Sequence, residues 1–480
     1  MSAVVGLKKS SQLPLWARAI AEPAQEYGPT PLQLIAGQIP PGLRGSLYRN
    51  GPARLERAGQ RVPHWFDGDG GILAVHFGDA GATGLYRYVQ TAGLVAESKA
   101  NRYLYSGYGQ LAAGPIWQRW GSHPKNAANT SVLALPDKLL ALWEGGLPHR
   151  LDLENLETQG LDQLGALLPK QAYSAHPKRD PKTGDIYNFG LEYGKEIALN
   201  LFRSDASGQI RQQASLPLER FSLVHDFAIA GPYLIFLIPP LQMHVLPLLL
   251  GIKSFSDGFQ WRPSLGTQVL IIDRETFQPV TTFEVDPWFQ WHIGNGYVEL
   301  DRTVVIDFVR YADWATNQWL AEVVTGSPRT ESKGYLWRIR LDIQQKKLLE
   351  SQQITDCNCD FPLVDQTRVG QLASSLYLLS DSDPKAPVQE MFDSIARVDL
   401  ATGTVSKASL GPGSYPMEPI PVSDRLNPDQ TWLLTIVFDG QQAQSSVQIF
   451  DAHHLESGPV CVLALPQIIP FGFHGTWRSV

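Results

Sequence analysis

Four histidines stand at the ends or edges of short apolar segments, where an ionisable ring has no obvious contact with water. They are His176 in YSAHP, His225 in SLVHDFAI, His292 in FQWHIGNG and His474 in FGFHGTW, at intervals of 49, 67 and 182 residues. Neutral imidazoles that meet at one point bind a divalent metal ion, and iron, copper and zinc all suit that donor set. The pattern predicts a four-histidine metal site. The alternative is four separate buried rings, each satisfied by its own hydrogen bonds.

Three acidic residues stand in equally apolar surroundings: Glu144 in LLALWEGG, Asp360 in CDFPLV and Glu418 in YPMEPIPV. Charged side chains are rarely buried without a partner. A metal-bound imidazole usually has its second nitrogen held by a carboxylate or another acceptor. The three acids and the four histidines therefore explain each other's burial, which favours the metal site.

The segments that must position these residues have the character of β-strands. Short runs rich in β-branched and aromatic residues, bounded by Gly, Pro, Asn and Asp, recur along the whole chain, and twelve strands or hairpins are clear. Several follow one pattern, an apolar strand that ends at an aspartate and a turn, as in VLIIDRET, ARVDLATG and VQIFDAHH. This weak internal repetition indicates one sheet unit after another.

We expect an all-β fold, a seven-bladed β-propeller, in which 480 residues leave about 69 for each blade. Two stacked β-sandwiches are the alternative. Strands of different blades that begin near a propeller axis would point the four histidines at one place. No Pro/Ser-rich linker and no charge run marks a boundary, so residues 26–480 are predicted to form one domain. Residues 1–25 are predicted to be a loosely ordered or peripheral arm.

Composition narrows the class of protein. With 43% apolar and 18% charged residues the chain can build a large core, and a net charge of −7 argues against nucleic-acid binding. Three cysteines form no disulfide framework and suit a reducing, cytoplasmic compartment. The N-terminal MSAVVGLKKS lacks the apolar core of a signal peptide.

A long uncharged stretch covers residues 227–252. Its four prolines argue against a membrane-spanning helix, although its length would allow one. The stretch predicts a buried strand, YLIFLI, followed by an apolar surface segment over residues 240–252 that contacts a membrane peripherally. The alternative is that this segment packs internally as an ordinary loop.

Beyond these patterns, several motifs resemble the carotenoid cleavage oxygenase family, and most closely its bacterial apocarotenoid-cleaving members. They are GSLYRNGP, HWFDGDGG, NAANTSVLALPDKLLALWEGGLPHRLD, YSAHPKRDP, VHDFAI and the terminal FHGTW. The resemblance runs from about residue 32 to the end. It implies a seven-bladed β-propeller with loops and short helices capping the active-site face. It also implies a non-haem Fe(II) held by the four histidines, His176, His225, His292 and His474.

The resemblance further implies that Glu144 holds the ring of His225, Asp360 that of His292 and Glu418 that of His474. Asp360 departs from the family pattern, which usually has glutamate there. The missing methylene shortens the reach by about 1.5 Å, so we expect His292 to be held through a water or by a shifted strand.

The family pattern also marks positions around the open side of the iron. Thr130 in NAANT is implied to crowd one open coordination position with its methyl group. Aromatic residues of the substrate tunnel are implied at Phe66, Trp143, Trp291 and Tyr311. For each of these aromatics the alternative is ordinary core packing.

The activity implied is that of an Fe(II) dioxygenase, which cleaves a conjugated C=C bond of an apocarotenoid or carotenoid with O2. The products are two aldehydes, for example of retinal type, and no organic cofactor is needed. One alternative is a stilbene- or phenylpropene-cleaving member of the family, which anchors the phenol with a tyrosine and a lysine. Lys125 matches the lysine, whereas Leu94 replaces the tyrosine. Two further alternatives are a family member that isomerises or only binds its polyene, and a propeller without enzymatic activity.

Overall fold

Seven antiparallel sheets of four or more strands form the body of the protein in a computed structural model that describes residues 13–119, 124–194, 196–387, 389–408 and 410–479. The predicted all-β, seven-bladed β-propeller is confirmed. Strands are numbered here in chain order, and the blades in the order in which their innermost strands follow around the axis.

Blade 1 contains, from its outer edge inwards, β1 (Tyr27–Pro31), β7 (Gly81–Tyr88), β6 (Asp69–Gly78), β3 (Gly45–Arg54) and β35 (Gly475–Ser479). Blade 2 contains β8 (Ser131–Ala134), β9 (Leu139–Leu142), β10 (His149–Leu151) and β11 (Thr158–Leu161). Blade 3 contains β12 (Lys178–Arg179), β13 (Ile186–Tyr193), β14 (Ile197–Ser204) and β15 (Ile210–Leu218). Blade 4 contains β16 (Ala228–Ala230), β17 (Tyr233–Ile238), β20 (Thr267–Asp273) and β21 (Pro279–Val285).

Blade 5 contains β22 (Ile293–Val298), β23 (Val304–Tyr311), β24 (Gly334–Asp342) and β25 (Lys347–Gln353). Blade 6 contains β26 (Cys359–Leu363), β27 (Ser375–Ser380), β28 (Ser394–Asp399) and β29 (Val405–Lys407). Blade 7 contains β2 (Gln33–Gly37), β34 (Pro459–Ala464), β33 (Gln444–Asp451), β32 (Thr431–Asp439), β30 (Ser414–Pro416) and β31 (Ile420–Ser423). Two small hairpins lie outside the blades: β4 (Glu56–Arg57) with β5 (Gln60–Arg61), and β18 (Leu241–Met243) with β19 (Phe259–Trp261).

The ring is closed by strands from both ends of the chain. The C-terminal β35 pairs with β3 in blade 1, while the N-terminal β2 forms the outer edge of blade 7. This closure requires two backbone segments to approach each other closely at Gly51. A Cβ on Gly51 would lie 2.4 Å from the Cα of Gly472. Only glycine leaves room there for the segment that leads into β35.

Burial follows the distance of a strand from the axis. The strand β17, with the sequence YLIFLI, is buried along almost its whole length, as expected for a strand covered on both faces. The outer strand β15 alternates between half-buried and exposed residues, which is typical of a strand with one solvated face. The apolar runs and the alternating runs of the sequence therefore correspond to inner and outer positions in a blade.

The described part of the chain contains four short α-helices, all in the connections: α1 (Ala92–Ala100), α2 (Ile116–Arg119), α3 (Val245–Leu249) and α4 (Ala315–Val323). The helix α1 begins at Thr91, whose hydroxyl accepts a hydrogen bond from the Leu94 N–H at 3.0 Å, and ends at the left-handed Asn101. In the ranges that the structure describes, no helix is long and apolar enough to cross a bilayer.

The apolar stretch over residues 240–252 divides into two parts. Its first part is buried in β18, where Leu241 and Met243 are 0% and 6% exposed. Its second part forms α3 and the following turn, where Leu246, Leu249 and Ile252 are 67%, 68% and 56% exposed. The expected apolar surface is therefore confined to residues 246–252, and the prediction that it begins at residue 240 is wrong.

The predicted N-terminal arm, residues 1–25, is described from residue 13 onwards. Trp16 is fully buried, and its Nε1 donates a hydrogen bond to the Gln389 carbonyl at 2.8 Å. Arg18 donates to the Gly440 carbonyl at 2.9 Å. The described part of the arm is therefore anchored to the last two blades rather than loose.

Candidate metal centre

Each blade contributes one residue to the axis at or close to the start of an inner strand. The inner strands of neighbouring blades pack together, as β16 does with β22 and β35 with β8. Side chains placed where these strands begin therefore converge, which accounts for the wide intervals between them in the sequence. In blade order, these residues are His474, Thr130, His176, His225, His292, Asp360 and Glu418.

The structure brings the four histidines into one cluster. One ring nitrogen of each lies within 4.8 Å of the others, and the Nε2 atoms of His176 and His225 are 3.0 Å apart. All four rings are buried, with exposures of 6–9%. Burial lowers the pKa of His176 and of His474, so these rings are neutral, the form in which imidazole binds metal.

Carboxylates hold three of the four rings. The Nδ1 of His292 lies 2.8 Å from Asp360 Oδ1, the Nδ1 of His474 lies 2.8 Å from Glu418 Oε1, and the Nδ1 of His225 contacts the Glu144 carboxylate. These are the pairs that the family resemblance implies. Because an ionised carboxylate only accepts, each carboxylate orients its ring through Nδ1, which leaves Nε2 as the nitrogen that faces the cluster.

For the fourth ring, that of His176, no described carboxylate lies within hydrogen-bonding distance. Its Nδ1 lies 4.0 Å from the nearest oxygen of Asp226. Asp226 instead pairs with Lys178 at 2.9 Å and accepts the N–H groups of Phe227 and Ile293, both at 2.8 Å. Sequence reasoning missed this buried acid, although it directly follows His225 in an apolar segment.

Asp360 contacts His292 directly, despite its shorter side chain. The pairing of β26 with β27 shifts by one residue between Asp360 and Leu363, and Phe361 takes a left-handed φ of +58°. The direct 2.8 Å contact leaves no room for a water between the two atoms, and Asp360 lies at the start of this irregularity in the strand pairing. Tyr311 donates its hydroxyl to the other oxygen of Asp360 at 2.7 Å. Although burial opposes the charge, His292, Tyr311 and the Phe361 N–H hold the pKa of Asp360 below its usual range.

A cavity of about 640 Å³ opens onto the cluster. The five residues predicted to surround the open side of the metal all line it, namely Thr130, Phe66, Trp143, Trp291 and Tyr311. The short helices α3 and α4 supply Leu248, Thr316 and Leu320, so helices cap this face as the resemblance implies. Sequence reasoning missed further aromatic wall residues, Tyr108, Phe255, Phe361 and Phe473.

Hydrogen bonds and ring contacts fix this wall. Trp291 donates its Nε1–H to the Thr316 hydroxyl at 3.0 Å, and its ring meets the edge of His225 at 5.0 Å. Phe66 packs edge-to-face on Trp291 at 5.5 Å and on Phe473 at 5.3 Å. The cavity is therefore a preformed aromatic chamber next to the histidines.

A β-propeller with four buried imidazoles on its axis and an aromatic chamber beside them has the donor atoms for a metal ion and room for an apolar molecule. The family model described as "Retinal pigment epithelial membrane protein" matches residues 20–479. This chain therefore belongs to the carotenoid cleavage oxygenase family, a family of metal-dependent dioxygenases that cleave C=C bonds.

Individual relatives cover nearly the whole chain. The Apocarotenoid-15,15'-oxygenase of Synechocystis sp. is 32% identical over 478 residues, which is 97% of this chain and 96% of that protein. Resveratrol cleavage oxygenase 1 of Aspergillus fumigatus is 26% identical over 92% of this chain and 91% of that protein. The solved structure of cobalt-substituted Synechocystis apocarotenoid oxygenase aligns with a TM-score of 0.88 at 30% identity, over 97% of this chain and 98% of that one.

Proposed function

We propose that this protein is an Fe(II)-dependent dioxygenase that cleaves one conjugated C=C bond of an apocarotenoid or carotenoid with O2. The products are two aldehydes, among them retinal-type apocarotenoids. The observation that carries the proposal is the four-histidine cluster at the wall of a 640 Å³ aromatic cavity. A flat, apolar polyene suits such a chamber. The similarity to the Synechocystis apocarotenoid oxygenase supports this substrate class.

His176, His225, His292 and His474 are the residues that would hold the iron. Imidazole nitrogens are suitable ligands for iron, and in three of the rings the carboxylates hold Nδ1 and leave Nε2 for the metal. When bound, Fe(II) supplies the activation of O2. The carboxylates of Glu144, Asp360 and Glu418 orient the rings and offset part of the added positive charge.

Thr130 and the aromatic wall would position the substrate. Thr130 lines the cavity, and its hydroxyl donates a hydrogen bond to the Asn129 side chain at 3.1 Å. We propose that the methyl group of Thr130 narrows the open side of the metal, and that Phe66, Trp143, Trp291 and Tyr311 hold the polyene flat. The same rings exclude water from the reacting bond.

The surroundings of Lys125 favour a carotenoid over a stilbene substrate. Its ammonium group pairs with Asp69 and Glu97, both at 2.9 Å, and the side chain is buried. Leu94, at the position of the phenol-binding tyrosine, is buried in the core. A lysine neutralised by two carboxylates is not available to anchor a phenol.

The test is a product profile of the iron-loaded enzyme, with apocarotenals of several lengths, β-carotene and resveratrol as substrates. We expect mass spectrometry to find two shorter aldehydes from at least one polyene, and no phenolic aldehydes from resveratrol. Polyenes recovered with unchanged chain length would contradict cleavage and support an isomerase or a binding protein. Phenolic aldehydes as the only products would support the stilbene alternative.

We also propose that the protein is cytoplasmic and contacts a membrane peripherally through α3. The exposed Leu246, Leu249 and Ile252 adjoin Leu248, which lines the cavity, so the apolar surface lies next to a route for an apolar substrate. The helix α2 extends this surface with Trp117, which is 68% exposed. Arg119, at the end of α2, donates a 3.0 Å hydrogen bond to the carbonyl of Gly251 in the turn that follows α3. The buried, free cysteines suit a reducing compartment.

Replacing both Leu246 and Leu249 with glutamate should weaken sedimentation with phosphatidylcholine vesicles by at least about ten-fold, because the apolar area that enters the interface is lost. The matched control replaces Leu300 and Leu426, which are 107% and 75% exposed elsewhere on the surface. If both double variants lose vesicle binding equally, or if neither loses it, α3 is not the membrane contact.

A further inference from the structure

Blades 5 and 6 supply a polar part of the cavity, called here the Lys333 end. Its wall there includes Lys333, from the segment before β24, and Asn358, from the segment before β26. Asp381 and Glu390, from the connection between β27 and β28, complete this wall. Other parts of the lining carry Leu248, and Leu168 with Lys170 and Gln171 close to it in the sequence. A molecule that extends from the histidines to the Lys333 end would place one of its ends beside the ammonium group of Lys333.

The ammonium group of Lys333 has donor capacity to spare. It donates to the carbonyls of Pro384 and Ala386, both at 3.2 Å, and a lysine carries three N–H donors. Among the described residues, the third donor has no acceptor. Lys333 is half-buried, so its head group is held at the cavity wall by the two carbonyls rather than swinging freely in solvent.

Two acids limit what this end can accept. Asp381 is 5% exposed and accepts a hydrogen bond from the Asn358 amide at 3.2 Å. Glu390 is exposed and accepts the Tyr415 hydroxyl at 3.2 Å. Lys407, which donates to the Asp381 carbonyl at 2.7 Å, and Asp393 add one charge of each sign beside Asp381. Carboxylates therefore outnumber ammonium groups here, so an incoming carboxylate would meet like charge, whereas a neutral oxygen would meet a free donor.

We propose that the Lys333 end of the cavity binds the neutral, oxygen-bearing terminus of the polyene, an aldehyde or a hydroxyl group. The inference rests on the proposed function and specifies its substrate. Lys333 donates to the terminal oxygen, and Glu390 and Asp381 disfavour a terminal carboxylate. This binding fixes how far the chain passes the metal, so Lys333 determines specificity without contacting the reacting bond.

The experiment compares polyenes of one chain length that end in an aldehyde, an alcohol, a carboxylate or a methyl group. For wild type, Lys333→Met and Lys385→Met, kcat/KM is measured for each, together with Kd from quenching of tryptophan fluorescence, since Trp143, Trp291 and Trp319 line the cavity. Lys385 is the matched control because it is exposed in the same connection and does not line the cavity.

Lys333→Met should weaken binding and kcat/KM of the aldehyde and the alcohol about ten-fold, the effect of one hydrogen bond from a charged donor. For the methyl-ended polyene, the same substitution should change Kd and kcat/KM less than about two-fold. Lys385→Met should leave both values unchanged for all four polyenes. Glu390→Gln should raise kcat/KM for the carboxylate-ended polyene relative to that for the aldehyde. Equal loss for all four termini, or no loss for the aldehyde, would overturn the inference.

The two kinds of readout separate this inference from the function on which it rests. If wild type binds the aldehyde in preference to the methyl-ended polyene, and Lys333→Met removes that preference, the inference holds even without turnover. Absence of cleavage in that case would contradict only the proposed function. Cleavage without any end-group preference would contradict only the inference.

Discussion

Replacing His474 with alanine is expected to abolish iron retention and to lower cleavage more than about 100-fold. Loss of a residue that only supports a metal ligand typically costs 10–100-fold, and loss of the ligand itself removes more. Iron per chain after anaerobic loading and desalting, and aldehyde formed from an apocarotenal, are the two measurements. Burial raises the pKa of Glu418, but the His474 ring, Arg49 and the Gly475 N–H together hold it below the usual range, and the substitution would remove the first of these partners.

The fold should survive this substitution. The backbone of His474 donates to the Thr130 carbonyl at 3.2 Å and accepts from the Asn50 N–H at 2.9 Å, and alanine retains both bonds. Circular dichroism should therefore remain that of a β-rich protein. His454→Ala is the control, because His454 lies exposed in a turn. Iron retention and full activity in His474→Ala would show that this ring is no ligand.

Lys125→Met is expected to lower the free energy of unfolding by about 3–5 kcal/mol, since removing one member of a buried ion pair leaves an uncompensated charge. Lys125 joins Asp69 and Glu97, and all three side chains are at most 7% exposed. Burial opposes its charge, yet the two carboxylates raise the pKa of Lys125 above its usual value. Asp69 keeps Arg57 at 3.1 Å, so Glu97 would carry most of the cost.

Urea unfolding followed by tryptophan fluorescence measures this loss. Lys99→Met provides the control, because Lys99 is exposed at the end of α1, the same helix that carries Glu97. A stability equal to wild type in Lys125→Met would show that the pair of carboxylates does not depend on the lysine. It would also reopen the possibility that Lys125 is free to bind a phenolic substrate.

The propeller and the four histidines could be predicted because both leave local marks in the sequence. Strands bounded by turn residues repeat along the chain, and His474 and its counterparts follow aromatic or apolar residues where water is excluded. Burial alone does not identify a ligand, however. His64 is 1% exposed, but both of its ring nitrogens already have hydrogen-bond partners. Its Nδ1 accepts the Phe66 N–H at 3.1 Å, and its Nε2 lies 3.3 Å from the Asn317 carbonyl.

What the sequence could not predict depends on contacts between blades. The bond from Tyr311 to Asp360 joins β23 to β26, and nothing in either segment signals the other. The polar end of the cavity needs Lys333 of blade 5 beside Asp381 of blade 6. The anchoring of Trp16 needs a carbonyl 373 residues away. Such pairs are set by the packing of the ring, which a single sequence does not encode locally.

X-ray absorption at the iron edge of the anaerobically loaded protein tests the central claim most directly. We expect one iron per chain, surrounded by four imidazole nitrogens donated by separate blades, and no iron edge above background in desalted His474→Ala. A spectrum showing sulfur or carboxylate ligands in place of imidazoles, or protein that takes up no iron, would contradict the metal centre and the oxygenase activity built on it.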